Sequence, residues 1–201
     1  MGLMRLREVA TLWLALLSAG CETAPDLQHP RFYLSDGISF RYPGNWSVTE
    51  DVGGPDVLTY RNLFIESSSS AIVVVQSYEP PIDKPLEDYA AEFHRAELES
   101  LGELARIGPL QPFDGQAGAP VPVVARIGGL PREGVEYVFS IVALGAAVPH
   151  KLRAFKVETD SATTFLVVQA ATEDWSSVAP GLDLVLESFE VQPFRRTPGE
   201  R

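Results

Sequence analysis

Cysteine is nearly absent from this chain: of 201 residues only Cys21 carries a thiol, so no internal disulfide can form and the fold must stand on its core. Basic residues are scarce as well. Sixteen Lys and Arg stand against 27 Asp and Glu, a formal net charge of −11, and no stretch gathers cations into a stripe. A phosphate backbone would be repelled, so nucleic acid is excluded as a partner. The three histidines, His29, His94 and His150, are read in the tether, on the flank of a helix and at a hairpin turn, and no two have metal-ligand spacing, so no metal is expected. There is no G-x-S-x-G elbow for a nucleophilic serine. Gly128-Gly129 runs into Leu130-Pro131, which blocks a phosphate-cradling helix start and leaves a plain turn. The N-terminal apolar run, Val9 to Ala19, is about 11 residues, short of the roughly 20 that a helix needs to cross a hydrocarbon layer. What remains is ordinary globular composition, 45% apolar and 21% charged, enough for one domain with a real core.

The N-terminus carries the sharpest signal. Arg5 and Arg7 precede the apolar run, which ends in the small pair Ala19-Gly20 just before Cys21, the three-part pattern of a secretory signal. Leu17-Ser18-Ala19-Gly20-Cys21 resembles the lipobox of bacterial lipoproteins, with Ser18 where leucine is usual and Leu16 and Leu17 just upstream. That resemblance implies lipidation of Cys21, removal of residues 1–20, and acyl chains such as palmitate holding the mature chain on a membrane, with effectively permanent attachment. The mature part, having lost Arg5, Arg7 and Glu8, has a net charge of −12. In this family an aspartate after the cysteine marks inner-membrane retention; Glu22 stands there instead. In a Gram-negative host that implies the outer membrane, facing the periplasm. The expected organisation is a signal peptide over 1–20, a lipidated tether over 21–30, one domain over 31–191 and a flexible tail over 192–201.

Within the domain, Ile38 to Tyr42 alternates apolar and polar and stops at Pro43-Gly44-Asn45-Trp46, a strand ended by a turn. Val57 to Ile65 and Ala71 to Tyr78 read as a hairpin. Its run Ile72 to Val75 is apolar on both faces, as a strand covered on each side would be. The serines Ser67 to Ser70 read as a solvated connection. Asp83 and Pro85 start a helix whose stripe is Leu86, Tyr89, Ala90, Phe93, Ala96, Leu101 and Leu104. Glu97 falls inside that stripe, as a snorkelling or paired carboxylate. Residues 108–122 are rich in Gly and Pro and read as loops around a short strand. Val135 to Ala143 alternates strictly, and Phe155 to Val157 and Thr163 to Gln169 follow as strands, with turns near Ala146–Pro149 and Asp160. Trp175, Val178, Leu182, Val185, Leu186 and Phe189 make a last helical stripe, which Pro180 is expected to split into two pieces. Strands, helix, strands, helix around a mainly antiparallel sheet is an α+β fold.

The stretch Asp36 to Val48, with Tyr42-Pro43 leading into a turn that carries Trp46, resembles the opening of the PsbP-like superfamily. Phe165 to Thr172, followed by a helix closing on Leu186-Glu187-Ser188-Phe189, is similar to that family's last strand and helix. The resemblance implies a sheet sandwiched by helices, as in DcrB-like lipoproteins. It also implies a binding or assembly role without turnover, and it carries over no partner.

From the residues themselves, Tyr42, Pro43 and Trp46 need only a structural role. The carboxylate clusters Asp83, Glu87 and Asp88, and Glu173 with Asp174, sit at helix starts, where the backbone dipole favours negative charge. No EF-hand spacing marks a calcium site. The expectation is therefore a non-enzymatic, lipid-anchored envelope protein that binds another envelope protein, with no catalytic residues and no cofactor. The alternatives are a small-molecule or metal-binding lipoprotein with a pocket between sheet and helix, and an enzyme of unrecognised type.

Overall fold

A computed structural model of the chain describes residues 24–35, 37–52, 59–107, 110–111, 119–143 and 146–192. The signal segment, Cys21 and the tail from residue 193 lie outside them. The described residues form two sheets and two helices. Strands β1 (Arg31–Ser35), β2 (Ile38–Tyr42) and β11 (Glu190–Val191) make a small antiparallel sheet, β1-β2-β11. The large sheet comprises β3 (Ser47–Val52), β4 (Thr59–Glu66), β5 (Ile72–Glu79), β6 (Leu110–Gln111), β7 (Val121–Ile127), β8 (Leu130–Ala143), β9 (Ala146–Glu158) and β10 (Thr163–Ala171). Its order is β3-β4-β5-β10-β9-β8-β6, with β7 also on β8. Every pairing is antiparallel. Helix α1 (Leu86–Ile107) covers one face, and helix α2 (Trp175–Ser188) with the small sheet covers the other. This is the α+β sandwich that the element order implied.

The period-2 alternation of the strands sorts the core into two layers. Leu63, Ile65, Val73, Val75, Phe155, Leu166 and Val168 pack toward α2, Phe40 and Phe189. Their neighbours Phe64, Val74, Leu152, Ala154, Phe165 and Val167 pack toward Tyr89 and Ala90 of α1. Strand β10 lies between β5 and β9 and is buried along its whole length, which is why its sequence shows no polar face.

Several expectations change. The stretch read as loops around a short strand, residues 108–122, holds the two-residue β6, and a longer strand not read there, β7, starts at its end: Val121 to Ile127 pair with Glu136 to Leu130 across the tight Gly128-Gly129 turn. Pro122 is tolerated because it lies on an edge strand, where one side of the backbone has no ladder to serve. Gly128 has φ +59°, and a side chain there would press on the Phe189 carbonyl, so glycine is required. Residues 146–149, read as a turn, belong to β9, with Ala147 opposite Val142 and Pro149 opposite Ser140. Pro180 sits inside one continuous α2. It removes a single bond near the first turn, on an exposed side that water serves, while Val178, Leu182 and Val185 hold the other side in the core. The serine run is an ordered connection, since the Ser67 hydroxyl accepts the Ser69 and Ala71 amides, both at 3.1 Å. Glu97 has no described side chain.

Candidate functional site

Three places on the domain concentrate polar chemistry. The first lies on the α2 side of β8 and β9. Arg153 and Glu136 are direct cross-strand partners, and Arg153 Nε donates to Glu136 Oε2 at 2.7 Å. Lys151, two residues earlier on the same face, has its ammonium 4.9 Å from the centroid of the Trp175 ring, and the Arg153 guanidinium carbon is 4.8 Å from it. Trp175 opens α2 and is half-buried. Val138, the cross-strand partner of Lys151, is exposed. Burial pushes the Asp183 carboxyl up and Glu187 adds to this, while Arg153 opposes it. An indole with two cations within 5 Å gains about 0.5–1 kcal/mol per cation at such exposure. The result is a pre-ordered, amphipathic patch of the residue types that dominate protein interfaces. The sequence hid it because its parts come from two strands and a helix. The one local signal was the alternation Lys151-Leu152-Arg153-Ala154, with cations on one face and apolar residues on the other.

The second place lies between α1 and the large sheet. The spacing Leu86, Ala90, His94 puts His94 on the apolar stripe, and the imidazole is buried with its ring edge against Phe139, centroids 4.5 Å apart. His94 therefore does not sit on the helix flank, because its four-residue step from Ala90 carries it under the helix. His150, expected at a turn, lies within β9 and is buried, stacked on Phe139 at 5.8 Å, with Nδ1 3.0 Å from the Val148 carbonyl. Burial pushes both imidazoles down; for His150 the Val148 carbonyl and Asp174 oppose that. Among the described residues neither ring nitrogen of His94 has a hydrogen-bond partner, and neither do Asn62 Oδ1 and Gln169 Oε1 on the same side of the sheet. Near Asn62, the Tyr89 hydroxyl donates to Gln76 Oε1 at 2.7 Å, and the Tyr89 ring stacks on Phe165 at 3.8 Å.

The third place is the chain's approach to the domain. Residues from Ala24 onward, read as part of a free tether, are fastened to the turn after β2. Asn45 Oδ1 accepts the Asp26 amide at 2.8 Å, Asn45 Nδ2 donates to the Ala24 carbonyl at 3.0 Å, and the Gly44 amide donates to the Asp26 carbonyl at 3.0 Å. The Asp26 carboxylate in turn accepts the Gln28 and His29 amides, both at 3.1 Å, and meets the His29 imidazole at 3.2 Å. Desolvation raises the Asp26 carboxyl, but these donors together hold it below its ordinary value. Two glycines admit the segment. A Cβ on Gly44 would strike the His29 carbonyl, and one on Gly181 would lie 3.0 Å from Pro25 Cβ and 2.7 Å from the Trp46 ring. Trp46 and Pro43 are buried there, the Trp46 amide bonding the Pro43 carbonyl at 3.0 Å. Aromatic filling of the sheet's end accounts for Tyr42 and Trp46.

Cys21 lies outside the described residues. Glu87 and Asp88 do stand in the first turn of α1. Asp174 caps no α2 amide and instead accepts the Ser70 hydroxyl at 2.6 Å. Among the described residues no three His, Cys, Asp or Glu side chains gather as metal ligands, and no helix is long and apolar enough to cross a membrane.

No family model and no curated protein matches the chain. Solved structures share elements of its fold. Cyanobacterial PsbP (CyanoP) from Synechocystis sp. PCC 6803 is 17% identical over 86% of this chain and 96% of that one, with a TM-score of 0.47. A protein from Bacteroides thetaiotaomicron is 12% identical over 85% of this chain and 50% of its own, with a TM-score of 0.46. LpqN, involved in cell envelope biogenesis of Mycobacterium tuberculosis, is 14% identical over 82% and 90%, with a TM-score of 0.35. Likeness at this level assigns no residue role and no partner, so what this chain is similar to stops at an α+β arrangement of sheet and helices.

Proposed function

We propose that the chain is an envelope lipoprotein, cleaved before Cys21 and acylated on its thiol, that acts without turnover as a binding or assembly module for another envelope protein. In a host with two membranes its place is the outer membrane, facing the periplasm, since Glu22 follows the cysteine. The observation that carries the reading is the Trp175 patch. Lys151 and Arg153 are ordered on the indole beside exposed Val138, a surface that loses little side-chain entropy when a partner covers it. Capture of envelope proteins by the acylated chain should therefore depend on Trp175 and Arg153. A partner held equally well by Trp175→Ala and Arg153→Glu would contradict it. The anchor is tested separately: a clickable palmitate analogue should label the chain and lose its target in Cys21→Ser, with membrane fractionation lost alongside.

The orphaned polar atoms of His94 and Gln169 favour a second reading, a small polar molecule bound between α1 and the sheet. A thermal-shift screen separates the two, since a ligand at one hundred times its Kd raises stability by about 2.7 kcal/mol.

A further inference from the structure

We propose that the outer face of the small sheet lies flat against the phospholipid headgroups, and that the fastened segment from Ala24 to His29 sets this orientation. The proposal rests on acylation of Cys21 as proposed above, and names the surface that the anchor brings to the membrane. Only Glu22 and Thr23 separate Cys21 from Ala24, so the anchored residue is at most about 10 Å from a point fixed on the domain. A free tether of the full 21–30 span would reach about three times as far and leave the domain able to tumble.

The surface beside that point has the character of a lipid interface. On β1, Tyr33 turns inward and stacks on Phe40 at 4.9 Å. Phe32 and Leu34 therefore point outward, 63% and 67% exposed. Leu27, in the fastened segment, is exposed as well. Apolar side chains on an outer sheet face are an aggregation hazard unless something covers them. The charge beside Phe32 on that outer face is Arg41, its partner across the strand pair. It is cationic in a chain of net charge −11, and it is exposed. An aromatic ring beside a guanidinium suits the boundary between acyl chains and phosphates. Glu190, opposite Ser39 and so in line with Leu34, is the one acidic residue in register on that sheet among the described residues.

The test uses the mature acylated protein in phosphatidylethanolamine–phosphatidylglycerol vesicles. Its own thiol is blocked by lipid, so a single introduced cysteine can carry an environment-sensitive fluorophore, in Leu34→Cys or in Ala91→Cys on the exposed side of α1. The two sites occupy opposite outer layers, roughly 20 Å or more apart by layer spacing. Headgroup-attached nitroxide should quench the Leu34 label at least threefold more than the Ala91 label. Adding Asp26→Ala and Asn45→Ala, which frees the segment but leaves the anchor, should bring the two values together. Adding Phe32→Ser should lower quenching at Leu34 alone. Equal quenching in the parent, stronger quenching at Ala91, or a protected Leu34 label that lipid nitroxide does not reach would each overturn the proposal; the last would assign the face to a protein. If intact mass shows Cys21 unacylated, the reading under Proposed function fails by that measurement. The orientation is then read with a hexahistidine tag joined at Glu22 on nickel-chelating lipid, and the same outcomes decide it.

Discussion

On the α2 side of the large sheet, the wholly buried polar residues have partners, and Arg132 Nε is the one buried polar atom there without one among the described residues. Arg61 donates to the Ser35 carbonyl at 2.7 Å and the Tyr33 hydroxyl at 2.9 Å, tying the two sheets together, and Ser77 bonds Thr164 at 2.9 Å. On the α1 side, Asn62, Gln169 and His94 are buried as deeply and each leaves an atom with no hydrogen bond. A buried polar atom with no partner costs about 1–3 kcal/mol. One side is thus closed to optimise stability, while the other carries a cost that binding or protonation can change.

Cutting the closed side should have the largest effect. Leu182 is fully buried among Trp46, Val185 and Phe189, and Leu182→Ala should cost about 3 kcal/mol in urea denaturation. A loss below about 1 kcal/mol would mean that α2 does not belong to the cooperative core. Gly181→Ala comes next, at about 1–3 kcal/mol, because the new methyl overlaps the Trp46 ring. Alanine's better helix propensity returns only about 1 kcal/mol, so a neutral result would show that the Pro25 and Trp46 contacts adjust freely.

The open side should answer to pH. Burial lowers the pKa of His94 and His150 from the ordinary 6.5. The unfolded chain therefore takes up protons first, and stability is complete above that value and falls as the pH drops below it. Melting temperature should decline from pH 7 toward 5.5, and the slope should be shallower in His94→Leu. At pH 7 this variant should be neutral or more stable by about 1 kcal/mol, since it deletes two unsatisfied nitrogens. An unchanged slope would show that His94 is not buried as a neutral ring. Glu66 and Asp183, whose carboxyls burial pushes up, work in the opposite sense at lower pH. Trp175→Ala should cost about 1–2 kcal/mol, the two cation contacts of a half-buried ring at the edge of the core, while partner capture is lost.

Much of the large sheet was legible because its central strands are too apolar to lie anywhere else. Val73 to Val75 and Phe165 to Val168 need cover on two faces, and the strict alternation from Val135 to Ile141 names the face under α1. Strand β7 was not legible, because an edge strand can carry Pro122 and expose Val121 and Val124. The fastened approach segment was not legible either, since side-chain amide to backbone bonds leave no period in a sequence. His94 was readable by its spacing and was missed through its polarity. The Trp175 patch needed the register of β8 against β9, which no local pattern contains.

The two-residue strand β11 bears on the order of folding. It pairs with β2 through Glu190 and Val191, and the Gln192 amide then reaches the Gly37 carbonyl at 2.7 Å. The last rung of the small sheet thus joins residues some 150 positions apart, a long loop to close before any reward is gained. The small sheet therefore cannot be completed until residues 190–192 have been made, so its closure follows the formation of the large sheet's strands rather than leading it.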